Sequence, residues 1–209
     1  MEIVVISNPY EVDNEVQEVT RMFKLGLRHF HIRKPRMSRR EMSDYIKMFP
    51  KEYRKKLVLH GYHTLADQFN LGGIHLSRNH RHRNRMYHLQ LWFKRRLNPD
   101  MILSRTYHKL TDITNDRRTY TYTFLSPVFD SVSHSSLSGG FSKRALLIMI
   151  PQAKQPVFAF GGITLDKFEQ VENLGFHGVV LLGTIWEGPE LPHQKFKEAQ
   201  EKMLSLRAL

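Results

Sequence analysis

The stretch 156–164, PVFAFGGIT, has the pattern of a buried strand followed by two glycines and the start of a helix. The stretch 178–185, GVVLLGTI, repeats this pattern with a strand that ends in Gly-Thr. Glycines at such turns let backbone N–H groups approach an anion without an intervening Cβ, and the helix start adds partial positive charge. Two ordinary tight turns would look the same, but in α/β barrels the loops after the last two strands form the phosphate pocket. We therefore predict phosphate binding by Gly161, Gly162, Gly183 and Thr184.

Similar apolar runs, each short enough for one strand, occur along the whole chain of 209 residues. Most are followed by a helical pattern, which predicts parallel strand–helix–strand units. Two architectures fit this alternation: a doubly wound sheet, and a closed (β/α)8 barrel, for which the sequence offers the eight units required. Because no linker or composition shift divides the chain, we predict one α/β domain over residues 1–209. The predicted strands are 3–7, 29–33, 56–60, 73–76, 101–104, 120–125, 156–160 and 178–182.

Helix signals lie between the predicted strands. Ser38 and Glu41 form a capping-box pattern that opens one helix. The segment 83–97 is long and amphipathic, and we expect its apolar residues to form the packed side: Met86, Leu89, Leu91, Trp92 and Phe93. The loop 130–140, rich in Ser and Gly, is long for a connection between a strand and a helix, which is typical of a functional lid or of a disordered segment. The other predicted helices are 12–25, 64–69, 111–115, 142–150, 164–173 and 192–206.

The composition excludes several classes of site and partner. Without cysteine, the chain forms neither disulfides nor thiolate metal sites. Residues 1–7 read as a strand rather than a signal peptide, and no apolar run is long enough to cross a bilayer, so we expect a cytoplasmic protein without a membrane partner. The net charge of +12 attracts anions such as phosphate esters or nucleic acid. A basic cluster at 78–96 suggests nucleic acid, but we expect its aromatic residues to pack inward and predict no such partner.

The second predicted strand places His29, His31 and Arg33 on one face, because side chains alternate along a strand. Phe30 and Ile32 then face the helices. Burying three polar side chains inside a barrel costs free energy unless they line a solvated ligand-binding site at the barrel mouth. An edge strand with a solvated face is the alternative. Within a ligand site, Arg33 suits a phosphate group or the edge of a substrate ring.

The chain contains twelve histidines, most of which we expect to be structural. His108 follows the predicted strand 101–104, and because imidazole titrates near neutral pH it is a candidate proton shuttle. Several others could supply nitrogen ligands to a metal ion: His60, His63, His75, His80 and His82. Since none lies in an HExxH pattern or in a facial triad with a carboxylate, we predict no metal site.

Seven motifs follow one another in a recognisable order: HIRKP at 31–35, HG at 60–61, GIHLSRNH at 73–80, SRTYH at 104–108, SPVFDSVSH at 126–134, AFGGI at 159–163 and GVVLLGTI at 178–185. This order resembles the thiamine phosphate synthase/TenI family over nearly the whole chain. The family shows Q-L-R-x-K, N-D, G-x-H-L-G-Q-x-D, G-x-S-x-H, G-P-V-F-x-T-x-T-K, A-I-G-G-I and G-V-x-V-x-S. The resemblance implies a (β/α)8 barrel and an enzyme of thiamine (vitamin B1) biosynthesis.

The synthase of that family joins a pyrimidine diphosphate to a thiazole phosphate and releases pyrophosphate, with Mg²⁺ held by two aspartates. The resemblance places Gly61 and His80 at these two positions, and neither suits a cation that requires oxygen ligands. The loop that grips pyrophosphate keeps hydroxyls at Ser131 and Ser133, but His134 replaces its lysine. Since the departure of pyrophosphate normally needs a metal and cations, these changes argue against an efficient synthase.

The features that remain resemble the TenI branch, in which a thiazole tautomerase moves a proton to make its ring aromatic and needs no metal or other cofactor. The resemblance implies that His108 is the acid/base and that six residues contact a phosphorylated thiazole: His31, Arg33, His60, Thr106, Ser131 and Ser133. A synthase that uses Mg²⁺ and a pyrimidine diphosphate is one alternative. A non-catalytic phosphate-ligand binding protein is another. The family also implies pairing of barrels as a homodimer.

Overall fold

The strands of this computed structural model close into a barrel. The structure describes residues 1–77, 85–129 and 140–207. The strands pair in parallel in chain order, and β1 pairs with β8. This closure confirms the predicted (β/α)8 barrel and excludes the doubly wound sheet. The strands are β1 (Glu2–Ile6), β2 (Phe30–Ile32), β3 (Leu57–Leu59), β4 (Gly73–Leu76), β5 (Ile102–Tyr107), β6 (Tyr122–Leu125), β7 (Val157–Phe160) and β8 (Gly178–Leu181).

Helices surround the barrel: α1 (Glu15–Lys24), α2 (Arg39–Lys47), α3 (Thr64–Gln68), α4 (Arg85–Leu97), α5 (Leu110–Asn115), α6 (Lys143–Met149), α7 (Phe168–Asn173), α8 (Gly183–Trp186) and α9 (Pro192–Arg207), with 3₁₀ turns at Lys51–Lys56 and Leu165–Lys167. The capping box is confirmed, because the Ser38 side chain accepts from the Glu41 backbone and the Glu41 side chain accepts from the Ser38 backbone. The sequence pattern does not predict α8 or the turn Lys51–Lys56, since such short segments cannot show a helical period.

Side chains on the strands alternate between the helix layer and the barrel interior, as a period of two requires. On β2, Phe30 packs against Phe49 and Trp186 outside the barrel. His31 points inward, where its ring lies 5.0 Å from that of Phe124. The predicted orientation of β2 is therefore confirmed. The apolar residues that fill the interior are Val4, Ile6, Val58, Ile102, Tyr122, Phe124, Phe158 and Val180.

Strand β5 extends to Tyr107, beyond its predicted end at residue 104. The outward-pointing Arg105 and Tyr107 both bond Oδ2 of Asp116, at 2.8 Å from the Arg105 Nη1 and 3.0 Å from the Tyr107 hydroxyl. Burying an arginine without such a partner costs free energy, so a buried arginine is not expected from sequence alone. For this reason the pattern of apolar residues ends the predicted strand at residue 104, before Arg105. The extension places Thr106 in the barrel wall and His108 just beyond the carboxyl end of β5.

Helix α4 packs with a different side from the predicted one. Of its five apolar residues expected in the packed side, Leu91 is buried. The other four are exposed: Met86, Leu89, Trp92 and Phe93. Lys94, on the same side as Leu91, forms an ion pair with Asp67 of α3. The side of α4 that carries Leu91 and Lys94 faces the barrel and lines a cavity, so the expectation that Trp92 and Phe93 pack inward is wrong.

Two predicted features fall largely outside the described residues. The loop 130–140 overlaps the undescribed range 130–139, which also contains Ser131 and Ser133. The first part of the basic cluster 78–96 lies in the undescribed range 78–84. Across the described ranges, no helix combines the length and the apolar character needed to span a membrane.

Candidate active site

A cavity of about 980 Å³ opens at the carboxyl ends of β2, β3 and β4. Arg33 enters it directly after β2, and His60 and Gly61 enter it directly after β3. The cavity continues outward between the loops and helices α2, α3 and α4, where Met42 and Leu91 form part of its wall. Barrel enzymes carry their active sites at this face. The structure thus brings two predicted substrate-binding residues, Arg33 and His60, into one cavity.

Ser7, at the end of β1, fixes the backbone of Arg33. Its Oγ accepts the Arg33 backbone N–H at 2.8 Å and donates to the Arg33 carbonyl at 3.1 Å. Ser7 is buried, whereas the Arg33 side chain is exposed and lines the cavity. An arginine held in this way at a barrel mouth can take a carboxylate or phosphate with two parallel hydrogen bonds.

Lys34 is next to Arg33 but has a different role. Its Nζ lies 2.5 Å from the Glu15 carboxylate and 2.7 Å from the Tyr10 carbonyl. Tyr45 donates its hydroxyl to the same carboxylate at 2.8 Å. Because both members of the ion pair are buried, the positive charge of Lys34 is neutralised within the protein. Lys34 therefore does not replace the cation that the family carries one position later.

His60, which lines the cavity, contacts the rings of His31 and His75. His31 Nδ1 lies 2.9 Å from His60 Nε2, and the His60 and His75 rings stack with centroids 4.0 Å apart. Their possible ligand atoms all lie within 4.8 Å of one another. Burial, together with the neighbouring His75, holds the pKa of His31 and that of His60 well below the usual value, so both rings are neutral.

The sequence does not predict this grouping of His31, His60 and His75, because the three residues are distant along the chain. They become neighbours because they lie on β2, directly after β3 and on β4, which are adjacent strands. The sequence signal that could have identified them is that each histidine occupies a strand position whose side chain faces the barrel interior. We refer to the three residues as the histidine cluster.

Two hydroxyls of β5 bond the histidine cluster. Ser104 Oγ lies 2.9 Å from His75 Nδ1, and Thr106 Oγ1 lies 2.9 Å from His75 Nε2. On the opposite side, the Tyr122 hydroxyl lies 2.7 Å from His31 Nε2. Thr106 is thus placed at the predicted site, in contact with His75.

His108 is exposed at the carboxyl end of β5. Its Nδ1 lies 2.8 Å from the backbone carbonyl of Ser126. A carbonyl oxygen only accepts, so Nδ1 carries the proton, and the lone pair of the neutral ring is on Nε2. Within the described residues, Nε2 makes no hydrogen bond. The described lining of the 980 Å³ cavity does not include His108, so the cavity and the proton-transfer candidate occupy different parts of the barrel mouth.

The glycine loops lie after β7 and β8, as predicted. Gly161 and Gly162 have φ values of +91° and +63°, which favour glycine. The Thr184 hydroxyl donates to the Ile163 carbonyl and so links the two loops. Among the described residues, the backbone N–H groups of Gly161, Gly162, Gly183 and Thr184 have no acceptor. These are the four N–H groups that we predict to bind a phosphate.

Charged side chains flank the glycine loops on both sides. The Nζ of Lys167, a residue that the sequence analysis did not single out, donates to the Gly162 carbonyl at 2.9 Å. Glu187 lies on the other side, since a Cβ built on Gly183 would be 3.1 Å from its Oε1. Lys167 favours an anion at these loops, whereas Glu187 opposes one unless its carboxylate turns away.

The family's magnesium site does not fit the residues of this cavity. Gly61 has no side chain to offer, and His80 lies outside the described residues. Asp67 is the carboxylate in the described cavity lining, and it is paired with Lys94. Mg²⁺ requires several oxygen ligands, usually including carboxylates. The cavity lining offers histidine nitrogens instead, and therefore does not form a magnesium site.

Comparison with known proteins extends these observations. The family model described as thiamine monophosphate synthase (TMP-TENI) matches residues 3–185. A curated relative from Aquifex aeolicus, "Putative thiamine-phosphate synthase 2", is 22% identical over 171 residues, 80% of this chain and 87% of that protein.

Solved structures agree in fold. Thiamine phosphate pyrophosphorylase from Bacteroides thetaiotaomicron has a TM-score of 0.76 at 24% identity, covering 97% of this chain and 98% of that one. The enzyme of the same name from Pyrococcus furiosus has a TM-score of 0.77 at 17% identity, covering 98% and 96%. With a family match over most of its length and this barrel, the chain belongs to the thiamine monophosphate synthase/TenI family.

Proposed function

We propose that the protein is a thiazole tautomerase of its family, acting on a phosphorylated thiazole. His108 moves the proton whose transfer makes the thiazole ring aromatic, and no metal takes part in that step. The geometry of His108 carries the proposal. A hydrogen bond from Nδ1–H to the Ser126 carbonyl fixes the tautomer and leaves the basic Nε2 at the barrel mouth. A neutral imidazole in this state accepts a proton and returns it later.

The remaining parts of the mouth suit the charges of such a substrate. The backbone N–H groups of Gly161, Gly162, Gly183 and Thr184, with Lys167 beside them, supply donors for one phosphate group. Arg33 supplies a guanidinium for a carboxylate on the ring. His60 and Thr106 lie at the same mouth, after β3 and near the carboxyl end of β5. Ser131 and Ser133 stay predicted substrate contacts outside the described residues.

The proposal is tested by following, with chromatography, the formation of the aromatic thiazole carboxylate phosphate from its non-aromatic tautomer. We expect His108→Ala to lower kcat by a factor of about 10² to 10⁴, the usual contribution of a general acid–base group. Substrate binding, measured by calorimetry, should change little, because the phosphate and carboxylate contacts are elsewhere. His177→Ala is the matched control, since His177 is also exposed and lies away from the mouth. Full turnover by His108→Ala contradicts the role of His108.

A thiamine phosphate synthase is the second candidate, and the family match and the name of the Aquifex relative favour it. It requires a pyrophosphate site in which the lost carboxylates are replaced by other groups. The discriminating assay supplies the pyrimidine diphosphate and the thiazole phosphate together, with and without Mg²⁺. Thiamine phosphate formation at ordinary enzyme rates would replace the tautomerase proposal by this one. Binding of the thiazole phosphate without either reaction would instead indicate a phosphate-ligand binding protein.

A further inference from the structure

We propose that the histidine cluster, His31, His60 and His75, is a binding site for a divalent transition-metal ion of the zinc class. Three imidazoles hold the ion, and its remaining coordination position faces the cavity beside Arg33. The site shares His60 with the proposed thiazole site, but His108 takes no part in it and its test needs no thiazole. Such a site replaces the prediction, made from the histidine spacing in the sequence, that the protein has no metal site.

The positions of the ring nitrogens carry this proposal. The ligand atoms of the three histidines all lie within 4.8 Å of one another. A tetrahedral zinc ion with Zn–N bonds of 2.0–2.1 Å needs nitrogens about 3.4 Å apart. The 2.9 Å between His31 Nδ1 and His60 Nε2 must widen by about half an ångström, and the nitrogen of His75 must approach by no more than about 1.4 Å. Side-chain rotations of this size leave the adjacent strands in place.

The surroundings of two rings match what metal-bound histidines require. A ligating histidine usually donates its second ring N–H to a neighbouring acceptor, which fixes the ring orientation. With His31 Nδ1 on the ion, Nε2–H has the Tyr122 hydroxyl at 2.7 Å. His75 has a hydroxyl at each nitrogen, Ser104 and Thr106, so either nitrogen can bind the ion while the other keeps its partner.

The donor set selects the kind of ion. Imidazole nitrogens suit Zn²⁺, Co²⁺, Ni²⁺ and Cu²⁺, whereas Mg²⁺ requires oxygen ligands. Because three neutral imidazoles add no negative charge, the bound ion keeps its full positive charge. His60 is half-buried and lines the cavity, so the open position is reached from the ligand side. There the ion can bind water or an anionic oxygen of a small molecule that also contacts Arg33.

The test uses untagged protein treated with a chelator and then titrated with Zn²⁺ or Co²⁺. We expect one ion per chain in the cluster, and a Co²⁺ complex with the intense visible absorption of tetrahedral coordination. His60→Gln and His75→Gln should each weaken binding at least about 100-fold, more than a change to an outer partner usually does. Tyr122→Phe should weaken it by a factor of about 10 to 100 through loss of the second hydrogen bond. Mg²⁺ should not compete.

The control is His177→Gln. His177 is exposed and lies directly before β8, at the end of the barrel opposite the cavity, so this variant should bind the ion as the wild type does. Circular dichroism separates loss of a ligand from loss of the fold, and half-buried His60 is the position least prone to unfold the barrel. The proposal is overturned if the wild type binds no Zn²⁺ or Co²⁺, or if folded His60→Gln binds unchanged. It is equally overturned if His177→Gln loses the same ion, because the binding is then adventitious. No thiazole substrate is present, so failure of the tautomerase proposal does not affect the result.

Discussion

Replacing Gly161 by alanine tests the geometry of the first glycine loop. Gly161 has a φ of +91°, and a Cβ added there would lie 3.0 Å from both the Cα and the Cβ of Pro127. A non-glycine residue held at positive φ costs about 1–3 kcal/mol. The contact adds to this cost, because the Cα of Pro127 belongs to the backbone and cannot turn away. We therefore expect Gly161→Ala to lower the free energy of unfolding by about 2–3 kcal/mol.

The expected loss is large enough to measure by urea unfolding. For a chain of this size, 1 kcal/mol moves the thermal midpoint by about 2–4 °C, so we expect a shift of about 4–12 °C. The urea midpoint should fall with an unchanged m-value. The affinity for a phosphate ester should fall as well, since the Gly161 N–H is one of the proposed phosphate-binding groups.

Gly61→Ala is the matched control for this experiment. A Cβ at Gly61 would meet no atom within 4 Å, and the φ of Gly61 does not lie in the left-handed region. We expect its free energy of unfolding to change by less than about 0.5 kcal/mol. The reasoning is refuted if Gly161→Ala is as stable as the wild type, or if both alanine variants lose the same stability.

Three further predictions concern stability. Asp116→Asn should cost about 3 kcal/mol in urea unfolding, because this carboxylate accepts hydrogen bonds from three side chains, those of Arg105, Tyr107 and Tyr120; an unchanged midpoint would count against that network. Lys34→Met should cost about 3–5 kcal/mol by leaving Glu15 buried without its cation, and the double variant with Glu15→Gln should recover part of the loss. Burial alone would raise the pKa of Glu18, but hydrogen bonds from His193 outweigh it and lower that pKa. The resulting stabilisation is complete above the unfolded pKa of about 4.3 and is lost as the pH falls through the lower pKa of the folded state. In Glu18→Gln, the free energy of unfolding measured with urea should therefore depend less on pH in this acidic range.

Sequence patterns predict the barrel well because they report local alternation. His31 and Phe30 show this on β2, since their opposite orientations follow from a period of two. The same patterns end β5 too early, because the partner of Arg105 is Asp116, which lies beyond the strand and cannot be found from alternation. They also misplace the packed side of α4, because the side that faces the barrel carries Leu91 beside the polar Gln90 and Lys94, whereas Trp92 and Phe93 are exposed.

The candidate site shows the same division. His108 is identifiable from its motif and from its place after a strand, and the glycines are identifiable from their position in the last two loops. The histidine cluster is not identifiable in this way, because His31, His60 and His75 become neighbours only when adjacent strands align in register. Lys167 is likewise found only when its side chain returns to a loop carbonyl.

Proton exchange at the thiazole ring tests the central claim, that His108 carries the proton, most directly. The thiazole carboxylate phosphate is incubated in D₂O with the wild type, His108→Gln or His177→Gln, and the ring-proton signals are followed by NMR. We predict deuterium incorporation with the wild type and with His177→Gln, and a rate lower by about 10² to 10⁴ with His108→Gln despite unchanged substrate binding. Exchange at the wild-type rate in His108→Gln would contradict the account.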